Sequence, residues 1–385
     1  MNSIRSFADF DSPLREFIRA SSIESLSADE MDATFNRAVR GLFALQYAAV
    51  PTYRKFCDSQ KISPGSVSDW SEVPAVSASA FKELELTSLH PDERALVFHS
   101  SGTTTHKPSR HFHSRESLSI YEASLLPWFQ KNFLAGWLDL IDGDTAGAGD
   151  KPGFIFLTPP PAQAPHSSLV HMFEVIRREW GGRDSFFAGR TDPQGAWEVE
   201  MESMLLGLRN SMGAKRPVAI LGTAFSFVHL LDYLAASKIH LSLATGSRVM
   251  ETGGYKGRSR EIPRRELHAL ISEHLGIPAD RIVCEYGMSE LSSQAYARRT
   301  TPSESRPVFR FPPWVRTRII CPETGNDAAI GETGLIRVYD LANVRSVLAI
   351  QTGDLAIRGP DGFDLLGRAG SAEPRGCSFM TAETN

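Results

Sequence analysis

Gly153-Phe154-Ile155-Phe156-Leu157-Thr158, closed by Pro159-Pro160-Pro161, is the stretch on which the fold class turns. It is continuously apolar rather than alternating, as a strand reads when both of its faces are covered. The prolines stop it because proline has no N–H to continue a ladder. Downstream the chain changes type at a regular period. We expect helix over 167–180, helix around 194–210, strand 217–222, helix 225–237, strand 247–251, helix 262–275 and strand 281–285. Such alternation implies an α/β fold, with mainly parallel strands flanked by helices. In open sheets of this kind ligands gather beyond the carboxyl ends of the strands. The candidate site therefore comprises Ser100 to Thr105, Thr158, Gly222-Thr223, Glu251 to Gly257 and Glu285 to Glu290.

Upstream, residues 10–60 read as helical, with Phe35, Val39, Leu42, Phe43 and Tyr47 at three- and four-residue spacing. Trp70 to Leu86 reads as a loop and short helix leading into a strand, Ala95 to Phe98, and helix resumes near Leu118. Asp142 to Lys151 is Gly/Asp-rich and reads as a flexible connection. From about Thr301 the pattern becomes Pro-rich, then breaks into short β pieces at 314–320, 334–339, 346–350, 354–357 and 363–366. The expected organisation is an α/β core over 1–300, a small β-rich subdomain over 301–368 and a short mobile tail over 369–385 that carries Cys377.

The chain has 385 residues, 42% hydrophobic and 22% charged, with a net charge of −4. Lacking a basic excess or a Lys/Arg run, it is not expected to bind nucleic acid or an anionic membrane surface. Met1 to Ser12 lacks the roughly seven-residue apolar core of a secretory signal, and no window of about eighteen apolar residues marks a membrane span. The four cysteines, Cys57, Cys284, Cys321 and Cys377, are scattered and form no C-x-x-C pair. They read as free thiols in a reducing cytoplasm.

After the strand at 95–98 come His99-Ser100-Ser101-Gly102-Thr103-Thr104-Thr105-His106-Lys107-Pro108-Ser109-Arg110. Hydroxyls and backbone N–H groups donate to an anion, Gly102 permits close approach, and Lys107 and Arg110 bring positive charge. The residues alone leave two readings open: a triphosphate cradle, or a Ser/Thr-rich surface turn. No glycine-lysine-serine/threonine triplet makes it a P-loop. His106, His111 and His113 have no H-E-x-x-H or cysteine companion and read as phosphate-side or surface residues.

Five blocks together resemble the adenylate-forming enzymes, and within them the LuxE-type acyl-protein synthetases, related to phenylacetate–CoA ligases. Ser100-Ser101-Gly102-Thr103-Thr104 resembles the phosphate loop of that family and Met250 to Arg258 its adenine-side turn. Glu285-Tyr286-Gly287-Met288-Ser289-Glu290 resembles its tyrosine-glycine-x-threonine-glutamate block. Thr352-Gly353-Asp354-Leu355 resembles its ribose aspartate, and Asp361-Gly362-Phe363 with Leu366-Gly367-Arg368 its hinge. Thr105 stands where the family usually has glycine, and Lys107-Pro108 replaces proline-lysine.

The resemblance implies roles for ATP and Mg²⁺. Ser100, Ser101, Gly102, Thr103, Thr104 and Thr105 would line the phosphates with Lys107 and Arg110. Tyr286 would flank the adenine opposite Gly253 and Gly254, with Gly287 and Met288 continuing the turn. Ser289 would bond the α-phosphate, Glu290 would hold Mg²⁺, Asp354 would accept from the ribose hydroxyls, and Arg368 would donate to ribose or phosphate. The substrate would be a carboxylic acid, expected to be a fatty acid, with His166 and Ser167 at the acyl pocket; Ser167 reads equally as a helix cap.

In the larger family a further domain of roughly a hundred residues follows the hinge. The stretch from Ala369 to Asn385 is too short to build it and holds no lysine. It does contain Pro374-Arg375-Gly376-Cys377-Ser378, which resembles the site where acyl-protein synthetases accept the acyl group. By that resemblance Cys377 would carry a thioester to a protein partner, a reductase or transferase. An acyl-CoA ligase, or a silent nucleotide-binding subunit, stands beside this reading.

Overall fold

The computed structural model describes residues 5–100, 107–137, 151–254, 259–298 and 308–369. Of the expected site residues, Ser101, Gly102, Thr103, Thr104, Thr105, His106, Tyr255, Lys256, Gly257 and Cys377 lie outside them.

A six-stranded sheet forms the larger half. Strands β4 (Gly153–Phe156), β5 (Phe186–Phe187), β8 (Val218–Thr223), β9 (Arg248–Thr252) and β10 (Ile282–Tyr286) are mutually parallel. The antiparallel β11 (Ala295–Arg298) closes one edge, and the order is β11-β10-β9-β8-β4-β5. Every residue of β8, β9 and β10 is buried, as the continuous apolar runs require.

The two faces separate by strict alternation. Ile155, Leu157, Val218, Ile220, Val249 and Ile282 pack under the helices Met201–Gly213, Ala224–Ala236 and Arg264–Leu275. Phe154, Phe156, Leu221, Met250 and Val283 face the helices Arg115–Phe129 and Ser168–Trp180. Burying either set contributes on the order of 2 kcal/mol per large side chain.

A second, five-stranded sheet joins β12 (Val315–Ile320), β13 (Thr333–Asp340), β14 (Ala349–Arg358), β15 (Phe363–Arg368) and the two-residue β1 (Val76–Ser77). β1 runs parallel to β14 at Val76↔Ile350, whereas the other pairings are antiparallel. Its apolar face is covered from the N-terminal end of the chain. Phe10, Leu14 and Phe17 of helix Phe7–Ser22 share one core with Trp314, Ile336 and Val338, as do Phe35, Val39, Leu42 and Phe43 of helix Ala28–Ala49.

Three local expectations are corrected. The strand ending at His99, β2 (Leu96–His99), is not in the parallel sheet; among the described residues it pairs with β3 (Arg110–His113) alone, as an antiparallel hairpin. Residues 194–200 are not helical. Strands β6 (Gly189–Thr191) and β7 (Trp197–Val199) form a hairpin, and helix starts at Met201. The cause is turn chemistry: the Asp192 carboxylate accepts from Gln194 N and Ala196 N at 2.9 and 2.7 Å, and Gly195 takes a φ of +82°. The pieces expected at 346–350 and 354–357 are one strand, β14, carried through Thr352-Gly353. Among the described residues no helix is long and apolar enough to cross a membrane.

Candidate active site

The site assembles around the turn that leaves β10. Tyr286 is the last residue of that strand, and its phenol donates to Asp354 Oδ2 of β14 at 2.9 Å. Arg368, at the end of β15, lies 3.7 Å from the other Asp354 oxygen; its side chain is 85% exposed, so it is free to turn to a ligand. Asp354 and Arg368 are brought side by side by the β14–β15 register. Phe309, Phe311 and Phe363 meet the Tyr286 ring edge-on at 6.2, 6.1 and 5.8 Å, a geometry aromatic quadrupoles favour. Tyr286, Asp354 and Arg368 thus form one wall.

The neighbouring strand end adds Gly253 and Gly254, because Thr252 is paired with Glu285 in the β9–β10 register. A side chain at Gly253 would meet nothing within 4 Å, leaving open space above the turn, and Gly254 adopts a φ of +83°. Beneath it the Thr252 hydroxyl donates to the Glu285 carboxyl. Burial raises that carboxyl to about 7, against the pull of the Thr252 hydroxyl. A Cβ at Gly287 would lie 2.6 Å from Glu285 Oε1, so a side chain there would push the Glu285 carboxyl aside. Met288 packs against the core shared by the second sheet and the N-terminal helices.

Ser289 and Glu290 turn to the other side, toward the hairpin that carries the Ser/Thr loop. Ser289 Oγ donates to the His99 carbonyl at 2.9 Å, and the His111 ring bonds the Ser289 carbonyl through Nδ1, also at 2.9 Å. The carbonyl partner requires Nδ1 to carry the proton. Burial holds the His111 imidazole down at about 4, opposed by this bond, so the ring stays neutral. Across the mouth of the loop Ser109 N donates to Ser100 Oγ at 3.0 Å. Both ends of the loop are thereby tied beside Ser289 and Glu290.

Glu290 is only 5% exposed. Burial raises its carboxyl above the ordinary value, against the Ser109 hydroxyl, its own backbone N–H and the Arg368 charge. The Ser109 hydroxyl approaches it without closing a hydrogen bond of good geometry. No described residue forms an ion pair with Glu290. A buried carboxylate in this condition fits a hard divalent cation, which would restore its charged form.

The two basic residues of the loop point toward acids. Lys107 Nζ is 3.6 Å from Glu83 Oε2, and Arg110 lies 3.3 Å from Glu85 Oε1. Glu85 also pairs with Arg94 at 2.8 Å. His166 donates through Nδ1 to the Val97 carbonyl at 3.1 Å and its ring lies 4.7 Å from that of His99. Ser167 caps helix Ser168–Trp180 by accepting from Val170 N at 3.2 Å.

Among the described residues one group of His, Cys and Glu donors converges: Glu251, His268 and Cys284, all buried. His268 Nε2 is 3.5 Å from Glu251 Oε1 and 3.7 Å from Cys284 Sγ, and Arg264 reaches the same carboxylate at 3.5 Å. Burial pushes the Glu251 carboxyl up, but His268 and Arg264 outweigh it and hold it below the usual value. Burial also drives the Cys284 thiol well up, so it stays protonated.

Sequence reading placed Glu285 in the turn block and His111 on the phosphate side or the surface; His111 is buried beside Ser289. It missed Asp340 and Asn343, which carry no signal of their own.

The acyl-protein synthetase (LuxE) family profile matches residues 183–384. The long-chain-fatty-acid–luciferin-component ligase of Vibrio harveyi is 21% identical over 86% of this chain and 81% of its own. That of Aliivibrio fischeri is 21% identical over 92% and 90%. The fold is that of 2-hydroxyisobutyryl-CoA ligase in its postadenylation state, with a TM-score of 0.61 at 15% identity over 89% of this chain and 69% of that one. The profile spans more than half of the sequence, including every residue from Tyr286 to Arg368 described above, and the chain belongs to the LuxE acyl-protein synthetase family of ligases.

Proposed function

We propose that the protein activates a long-chain fatty acid with ATP and carries the acyl group on Cys377 for a protein partner, a reductase in the first instance. One observation carries the reading: the turn Tyr286 to Glu290 touches the Asp354–Arg368 wall at one end and the two ends of the Ser/Thr loop at the other. That is the layout a nucleotide needs, with a flat base and ribose at one side and phosphates at the other. The relatives' names supply the acid class.

In the first step a carboxylate oxygen of the acid attacks the α-phosphorus of ATP. The bond from that phosphorus to the α,β-bridging oxygen breaks, and pyrophosphate leaves. No protein nucleophile is needed; catalysis is by positioning and charge neutralisation. Asp354 accepts from the ribose hydroxyls and Tyr286 flanks the adenine above Gly253. Lys107 and Arg110 exchange Glu83 and Glu85 for phosphate oxygens. Glu290 would hold Mg²⁺, which neutralises phosphate charge when bound. In the second step the Cys377 thiolate attacks the acyl carbon, the bond to the adenylate oxygen breaks, and AMP departs, leaving a thioester.

The test is to incubate the protein with radiolabelled palmitate and ATP and look for label on the denatured chain. Label that is hydroxylamine-labile and absent from Cys377→Ala is expected. Label retained by Cys377→Ala would move the acceptor elsewhere.

A further inference from the structure

The turn bearing Glu290 runs on through Leu291, Ser292, Ser293 and Gln294 to β11, and all of these are buried although none lies in a helix or strand. Backbone and hydroxyl groups buried outside regular structure must find partners. Ser293 Oγ meets Ser124 Oγ at 2.9 Å and Gln294 Nε2 donates to Tyr121 at 3.2 Å, and the rest of the partners come from one short turn at the end of β13, on the other sheet. Asp340 Oδ2 accepts from Ser292 N at 3.0 Å, and Oδ1 accepts from Ser293 Oγ at 2.8 Å and from Ala342 N at 2.9 Å. Asn343 Nδ2 donates to the Glu290 carbonyl at 2.9 Å and to the Val347 carbonyl at 3.2 Å, while its Oδ1 accepts from Ser292 Oγ at 2.7 Å.

Gln46, from helix Ala28–Ala49, braces that turn from behind. Its Nε2 donates to the Asn343 carbonyl at 2.7 Å and its Oε1 accepts from Leu348 N at 2.9 Å. Asp340, Asn343, Gln46 and Ser292 are each at most 1% exposed, so water cannot substitute for a lost partner.

We propose that Asp340 and Asn343 are positioning residues for Glu290: they fix, from the five-stranded sheet, where the carboxylate points in a site built on the six-stranded one. The geometry is specific to that role because Asn343 grips the carbonyl of Glu290 itself, and its other amide atom holds Ser292 two residues on. The side chain of Glu290 can then swing only about its own rotamers. Outer-shell partners of this kind typically alter metal affinity by about 10- to 100-fold when removed. The proposal rests on Glu290 serving the divalent cation, as argued above.

The experiment is acid-dependent ATP–pyrophosphate exchange titrated with Mg²⁺, on the full chain, for Asn343→Ala, Ser292→Ala and Gln46→Ala. Asn343→Ala and Ser292→Ala are expected to raise the Mg²⁺ concentration for half-maximal exchange about tenfold, with KM for the acid unchanged. Gln46→Ala, which loosens the turn that carries Asn343 but removes no contact to the Glu290 turn itself, is expected to raise that concentration less than either. Should Asn343→Ala fail to fold, Ser292→Ala decides alone. If the variants lose thermal stability but keep the wild-type Mg²⁺ dependence, the positioning role is overturned. Wild-type protein that shows no exchange would instead overturn the adenylation reading. In that case hydrogen exchange of the 288–294 amides, protected in wild type, tests the anchoring, and unchanged protection in Asn343→Ala refutes it.

Discussion

The wall around Tyr286 and the mouth of the Ser/Thr loop are built from the same turn, yet they stand in opposite conditions. At the wall, Tyr286 is locked by its bond to Asp354 and by three phenylalanine edges before any ligand arrives. At the mouth, Lys107 and Arg110 are held off by Glu83 and Glu85, and the cation-seeking Glu290 is buried with its carboxyl shifted toward the neutral form. On the proposed reading the wall is a preformed nucleoside seat, which saves ordering on binding. The loop mouth is then a phosphate side that must exchange partners and can reserve its full charge for the transition state.

The sharpest way to break this contrast is Glu290→Gln, which should lower acid-dependent pyrophosphate exchange by roughly 10²- to 10³-fold while ATP binding, followed by equilibrium titration, changes far less. Equal losses in both would mean that Glu290 belongs to the preformed side. Next in size is the buried carboxyl beneath the Gly253-Gly254 turn. Glu285 titrates near 4.5 unfolded and about 7 folded. Between those values the folded state holds a proton the unfolded chain has lost, so stability is greatest at the acid end and falls as pH rises through the window. Denaturant unfolding of Glu285→Gln across pH 4.5 to 7 should lack that slope, a difference of up to about 3 kcal/mol.

Asp354→Ala should raise KM for ATP roughly tenfold, as expected for losing a charged hydrogen-bond acceptor, with kcat less affected. A fall in kcat alone would contradict a ground-state seat. The smallest effect belongs to the acids that cover the loop. Glu83→Gln with Glu85→Gln should lower KM for ATP only about two- to threefold, because exposed ion pairs are worth well under about 1 kcal/mol. A larger change would show that the pairs gate the loop.

The two sheets also differ in how far the sequence exposes them. The parallel sheet is legible because burial on both faces writes an unbroken apolar run such as Gly153 to Leu157, and because β8, β9 and β10 each end in a recognisable turn. The second sheet is legible strand by strand but not in its cover. β1 is two residues long and pairs far across the chain with Ile350 and Gln351, a match no local pattern announces. The hairpin at 189–199 was hidden by Asp192-Pro193-Gln194-Gly195, whose turn outweighs the helical spacing around it.

In the site, Tyr286, Ser289, Glu290, Asp354 and Arg368 stand out by motif, and the fold does bring them to one turn and its two flanks. What sequence could not reveal is the second layer. Asp340 and Asn343 are ordinary turn residues until the other sheet places them against Ser292 and Glu290. The paired state of Lys107 and Arg110 is likewise invisible, because Glu83 and Glu85 come from a different segment.

The most direct measurement is ATP–pyrophosphate exchange with and without a long-chain fatty acid, using intact protein and Mg²⁺. Exchange that depends on the acid and collapses in Glu290→Gln is expected. Protein that binds ATP but shows no exchange with any acid would contradict the adenylation reading.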